Sequence, residues 1–172
     1  ELKEGNKAPD FTAMNQDGKK VQLSSFKGKK NIVLYFYPKD MTPGCTAQSC
    51  NLRDNYKILL DKGYVVLGCS VDSPARHVKF IEKYDLPFSL ISDEDKKVVE
   101  DYGVWGLKKF MGKEYMGISR TTFVIDKKGV IEDVITKVDM INKTQLKSVR
   151  KICTNKNIIE VAAPENKGIP KL

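Results

Sequence analysis

Residues 31–37 read Asn-Ile-Val-Leu-Tyr-Phe-Tyr, an apolar run with no polar alternation. A strand with one wet face alternates, so an unbroken run is a strand covered on both faces. Residues 64–71, Tyr-Val-Val-Leu-Gly-Cys-Ser-Val, are a second such strand. Between them, residues 46–62 place Leu52, Tyr56, Leu59 and Leu60 at helical spacing, and Gly63 closes the helix. Two doubly covered strands joined by a crossover helix require layers on both sides of one sheet. The chain is therefore expected to be an α/β sandwich.

The flanking segments extend that sheet. Residues 11–15 and 20–23 alternate around Asp17-Gly18, an N-terminal β-hairpin. Ser73-Pro74 opens a helix to about Tyr84, with a capping residue followed by Pro at the first position. A short strand follows at 89–91, and Ser92-Asp93 caps a helix ending near Gly103. Residues 120–126 and 130–136 form a hairpin around Lys127-Lys128-Gly129, and 142–153 is a last amphipathic helix. The order β-α-β-α-(β-α)-β-β-α is the thioredoxin-like pattern, a central mixed β-sheet flanked by helices, although many three-layer folds begin this way. At 172 residues the length fits one domain. It is placed at 1–153, with 154–172 an irregular extension.

Composition removes several classes. With 41% apolar residues besides twelve glycines, the chain is neither disordered nor collagenous. Its apolar runs fall far short of the roughly 20 residues that span a bilayer, so no membrane partner is expected. Net charge is +8, but lysines and acids are interleaved and no basic run exceeds three residues. No zinc-finger spacing or RNP-like aromatic run accompanies them, so a solvated surface is expected and no nucleic acid. The start, Glu-Leu-Lys-Glu-Gly, has no signal-peptide pattern, and the cytoplasm is the default compartment. Four cysteines in such a chain argue for free thiols or redox chemistry over structural bridges.

Residues 37–50, Tyr-Pro-Lys-Asp-Met-Thr-Pro-Gly-Cys-Thr-Ala-Gln-Ser-Cys, lie at the carboxyl end of the first buried strand, where open α/β sheets place their sites. Cys45 falls in the first helical turn, where unpaired N–H groups and the helix dipole favour a thiolate. Pro43 fixes the backbone before it, and Thr42 offers a hydroxyl within local reach. Cys50 is five residues on. At about 100° and 1.5 Å per residue on a radius of about 2.3 Å, the two Cα atoms stand about 8.7 Å apart. A disulfide needs roughly 7 Å or less, so a bridge between them requires the first turns to unwind. Two unreactive packing cysteines are the alternative, but a cysteine behind Thr-Pro-Gly at a strand-to-helix junction argues against it. A metal site is not expected: tetrahedral zinc takes four ligands, and the chain has one His.

Phe36-Tyr37-Pro38-Lys39-Asp40 with Thr42-Pro43-Gly44-Cys45-Thr46 and Cys50 resembles the peroxiredoxins of the Q type, also called bacterioferritin comigratory proteins. Similarity continues through Val71-Asp72-Ser73, Leu86-Pro87-Phe88, Ser92-Asp93, residues 102–106 and residues 115–126, and spans roughly 3–140. The resemblance implies a thioredoxin fold and reduction of hydrogen peroxide and organic hydroperoxides without a cofactor. It matches Cys45 to the peroxidatic cysteine, Cys50 to the resolving one, and Thr42 and Arg120 to the groups that hold the peroxide. Pro43, Gly44 and Gln48 complete the expected substrate site, Gln48 standing where many members have Glu and accepting from Arg120. Met41 replaces a commonly acidic residue. Thioredoxin or a similar dithiol protein is the implied reductant, and the subgroup leans to monomers, with a weak dimer as the alternative.

Other residues are set aside at this stage. Cys69, in the second buried strand, is assigned to the core. Cys153 ends the last helix, a place that allows exposure, and adventitious oxidation there is as good a reading as any role. His77, flanked by Arg76 and Lys79, is read as a surface residue, and Trp105 as a packing residue in a loop that can also serve a partner. Two further functions compete with the peroxidase. A thioredoxin-like disulfide reductase lacks its C-x-x-C here, and a basic binding module on the same scaffold needs no reactive cysteine.

Overall fold

A computed structural model describes residues 1–136 and 152–153. The hairpin β1 (Thr12–Asn15) and β2 (Lys20–Gln22) is followed by a 3-10 turn at Leu23–Phe26 and by β3 (Asn31–Phe36). Then come α1 (Pro43–Asp54), α2 (Tyr56–Asp61), β4 (Tyr64–Ser70), α3 (Pro74–Tyr84), β5 (Ser89–Ser92) and α4 (Lys97–Asp101). The described part closes with β6 (Trp105–Phe110), β7 (Lys113–Ile118), β8 (Thr121–Ile125) and β9 (Ile131–Thr136). The predicted helix at 142–153 and the extension at 154–172 lie outside the described residues, apart from Ile152 and Cys153, which are helical.

Seven strands form one mixed sheet in the order β2-β1-β5-β4-β3-β8-β9. β3, β4 and β5 are parallel neighbours; β8 runs antiparallel to β3, and β1 antiparallel to β5. The apolar run of β3 divides by the strand's period of two. Val33 and Tyr35 join a core layer with Leu52, Leu59 and Phe80 of the helices α1–α3. Ile32, Leu34 and Phe36 join the opposite layer with Val98, Val99 and Tyr102. Each such side chain contributes about 2 kcal/mol by burial, so both faces hold the strand. No helix among the described residues is long and apolar enough to cross a membrane.

One glycine sets how α1 sits on the sheet. A Cβ on Gly68 would lie 2.8 Å from the Tyr35 ring and 2.6 Å from Leu90, so only glycine lets that ring lie across β4. The Tyr35 hydroxyl then reaches Ser49 Oγ at 2.8 Å, fixing the helix that carries both Cys45 and Cys50.

The structure differs from the sequence expectations at three elements. The single helix of 46–62 is two, broken at Asn55, whose side-chain amide donates to the Asn51 carbonyl at 2.8 Å and competes with the helix ladder. The helix expected after Ser92-Asp93 begins only at Lys97, because the Asp93 carboxylate accepts from the Val98 and Val99 N–H groups and so caps a later turn. Residues 105–118 form a separate hairpin, β6–β7, that the sequence reading did not identify. Its turn places Met111 at φ 51° and Gly112 at φ 77°, the paired positive values of a tight primed turn.

Candidate active site

The site begins where β3 ends. Thr42 has extended backbone angles and is the N-cap of α1, Pro43 occupies the first helical position, and Cys45 the third. The Thr46 N–H donates to the Thr42 carbonyl at 2.8 Å, closing the first turn. Helix geometry leaves the N–H groups of Gly44 and Cys45 without intrahelical acceptors, close to the Cys45 sulfur. The Cys45 side chain is buried, and so is Cys50 one and a half turns further on.

Arg120 arrives from across the fold, between β7 and β8. Its Nη2 donates to Cys45 Sγ at 3.2 Å and its Nη1 to Gln48 Oε1 at 2.6 Å. Gly44 makes room for it: a Cβ there would lie 3.2 Å from Nη2, which explains a glycine whose φ needs none. A guanidinium beside a sulfur presents a fixed cationic donor to an oxygen arriving at that sulfur. Of the sequence-predicted residues, Cys45, Gly44, Gln48 and Arg120 meet around one sulfur. Pro43 supplies the helix start. The Thr42 hydroxyl is turned instead to the Lys39 carbonyl, to which it donates at 2.8 Å.

The remaining cysteines separate clearly. Burial pushes the Cys50 thiol up to about 11, so inside the helix it is a poor nucleophile at neutral pH. Cys69 lies in the core layer on the far side of the sheet from Cys45, and burial holds its thiol well above the ordinary range. Cys153 is buried beside Ile152 in the same core layer as Cys45, so the exposure that a helix end allows is not realised.

His77 is a correction. Far from the surface, it is fully buried, and it anchors the loop that precedes Cys45. Its Nε2 faces the Ile91 carbonyl at 3.0 Å, which can only accept, so Nε2 carries a proton. Its Nδ1 lies 2.6 Å from Asp40 Oδ2. The other Asp40 oxygen accepts from the Tyr37 hydroxyl at 2.5 Å, and the Asp40 N–H donates to Asp72 at 2.9 Å. Asp72 also accepts from Ser70 Oγ at 2.6 Å and Arg76 Nε at 3.1 Å. Asp40, Asp72 and His77 are close enough to be read as a metal-ligand set, but these donor and acceptor atoms are engaged with one another. The signal for His77 was in the helix period: it shares a stripe with Phe80, Ile81 and Tyr84, whereas its sequence neighbours Arg76 and Lys79 turn elsewhere.

A helix-terminal cysteine under an arginine, with a second cysteine in the same helix beside a mixed sheet, fits the peroxiredoxin class of thiol peroxidase. Residues 5–134 match the AhpC/TSA family, and the chain belongs to it. Peroxiredoxin Bcp of Escherichia coli is 53% identical over 133 residues, covering 77% of this chain and 85% of that protein. Peroxiredoxin Bcp of Bacillus subtilis is 53% identical over 125 residues, 73% and 79% of the two chains. Among solved structures, peroxidoxin BcpB of Mycobacterium tuberculosis superposes with a TM-score of 0.74 at 32% identity, covering 90% of this chain and 96% of that one. A bacterioferritin comigratory protein of Xanthomonas campestris, described for its alkyl peroxide reduction activity, gives 0.71 at 31% identity over 76% and 81%. The protein is a thiol peroxidase that reduces peroxides and is reset by a thiol reductant. Neither the disulfide reductase nor the binding module is needed.

Proposed function

We propose that Cys45 is the peroxidatic nucleophile and Cys50 its resolving partner. The carrying observation is the contact of Arg120 with the Cys45 sulfur, at the end of a helix whose first N–H groups are unpaired. The Cys45 thiolate attacks the terminal oxygen of hydrogen peroxide or an organic hydroperoxide. An S–O bond forms, the O–O bond breaks, and the leaving oxide takes a proton to become water or an alcohol. Sulfur is oxidised by two electrons to the sulfenic acid. Arg120 and the Gly44 and Cys45 N–H groups stabilise the charge that grows on the departing oxygen. Gln48 holds the guanidinium in plane, and Pro43 and Thr42 shape the loop.

Resolution requires α1 to open. In the helix the two Cα atoms stand about 8.7 Å apart, beyond the roughly 7 Å that a disulfide allows. Unwinding brings the sulfurs together and returns the Cys50 thiol to water, lowering it from about 11 toward its ordinary value. Its sulfur attacks the sulfenic sulfur, S–S forms, S–O breaks and water leaves. Thioredoxin or a similar dithiol protein reduces the bridge by exchange. We assign the activity to a cytoplasmic monomer whose catalytic domain spans 1–153, with no metal and no nucleic acid.

In steady-state peroxide turnover with a thioredoxin system, Cys45→Ser is expected to lose activity to background. Cys50→Ser is expected to complete one turnover and stop at an oxidised Cys45. Full turnover by Cys45→Ser would refute the assignment.

A further inference from the structure

The β6–β7 hairpin is apolar where it is exposed. Leu107, Phe110, Met111, Tyr115 and Met116 are 47 to 86% exposed, and all lie on its two strands or their turn. Among the described residues these strands pair only with each other, in a sheet separate from the seven-stranded one. By alternation Leu107 and Met116 face one side and Phe110 and Tyr115 the other, with Met111 at the turn; exposed apolar surface of this kind, rimmed by charge, marks an interaction site. On the Phe110–Tyr115 face the charged groups are Lys113 and Lys108, whose Nζ donates to the Ile118 carbonyl at 3.0 Å, while Lys109 and Glu114 pair at 3.8 Å on the other face.

Its root is open at Gly106, while the Tyr115 ring and the Lys108 stem lie over Gly117. Gly106 and Gly117 face each other across the strands, leaving one cross-strand pair without side chains. A Cβ on Gly106 would meet nothing within 4 Å, whereas one on Gly117 would touch the Tyr115 ring at 3.2 Å and the Lys108 stem at 3.3 Å. Neither glycine has a positive φ, so backbone geometry does not call for them. Glycine inside a strand then marks a place where another backbone comes near. By the strand's alternation the same face continues outward through Lys108, Tyr115 and Phe110.

The shelf is also near the reactive sulfur. Gly117 is three residues from Arg120, at most about 10 Å along an extended chain, and the Arg120 guanidinium touches Cys45. With an arginine side chain of about 7 Å and its 3.2 Å contact added, Gly117 lies at most about 20 Å from the Cys45 sulfur, at the margin of the disc of about 16 Å radius that an interface of about 800 Å² per partner covers.

We propose that the Gly106–Gly117 shelf, rimmed by Lys108, Phe110 and Tyr115, is the docking surface for the protein dithiol reductant. This rests on Cys45 and Cys50 being the redox pair. The partner presents an apolar loop and net negative charge beside its reactive cysteine. Its backbone lies across Gly106, its apolar side chains meet Tyr115 and Phe110, and Lys113 steers the encounter.

The test compares two reductants on the oxidised protein: a thioredoxin of net negative charge, and dithiothreitol, which needs no docking surface. Gly106→Val fills the shelf with a residue favoured in strands and has open space to occupy. Phe110→Ser removes an exposed rim side chain. Both are expected to lower kcat/KM for thioredoxin at least tenfold, with the dithiothreitol rate and the first peroxide turnover unchanged. Unchanged thioredoxin rates would overturn the proposal. So would a parallel loss with dithiothreitol, which would place the hairpin's effect on the disulfide itself. Unchanged thioredoxin rates with loss of self-association would assign the surface to a second copy; with loss of binding to phosphatidylglycerol vesicles, to lipid. If the unmodified protein forms no thioredoxin-reducible disulfide, the redox-pair reading fails, and docking with it, before any variant is made.

Discussion

Two buried polar constellations meet in the loop before α1, and they act on different bonds. Arg120 acts on the sulfur directly, through one hydrogen bond, and is itself held by Gln48. Asp40 and His77 act on the loop, tying it to α3 and β5. Because Nε2 faces the Ile91 carbonyl, which can only accept, the other ring nitrogen, Nδ1, is the one that meets Asp40. An asparagine at 40 can reproduce that pattern, donating to Nδ1 and accepting from Tyr37. A phenylalanine at 77 cannot, and removes the His77 partner of both Asp40 Oδ2 and the Ile91 carbonyl in the core. In urea denaturation at pH 7, His77→Phe is therefore expected to cost about 3–5 kcal/mol, and Asp40→Asn less than about 1.5 kcal/mol. Equal large losses would show that the contact is held by charge rather than by hydrogen-bond pattern.

The helix α1 carries a conflict between folding and chemistry. Its first turn prepares Cys45, yet its integrity keeps Cys50 away and protonated. Burial raises the Cys50 thiol from 9.0 to about 11, so its contribution to native stability is intact below pH 9 and is lost as pH rises toward 11. Chemical denaturation of the reduced protein is expected to show stability falling across that window, less steeply in Cys50→Ala; identical slopes would contradict it. Oxidation has a second signature. Amide exchange is expected to speed up over residues 44–52 once the bridge forms, and unchanged protection there would mean that the sulfurs meet without unwinding. At this scale the sequence was a good guide where one period dominated. β3, β4 and α3 stand within a residue or so of their expected limits. It misled where a polar side chain rewrote the backbone pattern, as Asn55 splits a helix and Asp93 delays one. The β6–β7 hairpin was hidden because its exposed faces mix lysines with apolar residues and show no clean alternation.

Across the molecule, the site depends on contacts that no local pattern contains. Arg120 reaches Cys45 over 75 residues of chain, and His77 reaches Asp40 over 37. Only the resemblance pointed to the first, and the helical stripe of α3, properly read, would have pointed to the second. The sandwich itself was legible, because two doubly covered strands and a crossover helix leave few other arrangements. Its consequence is a sheet that brings the β3 end, the α1 start and the β7–β8 junction to one spot. The central claim is that peroxide oxidises Cys45 and that Cys50 resolves it. The most direct measurement gives the fully reduced protein one equivalent of hydrogen peroxide, quenches within the first turnover, and maps cysteines by mass spectrometry without reduction. A Cys45–Cys50 disulfide formed far faster than a free cysteine oxidises is the predicted result. Slow oxidation spread over Cys45, Cys69 and Cys153 would contradict it.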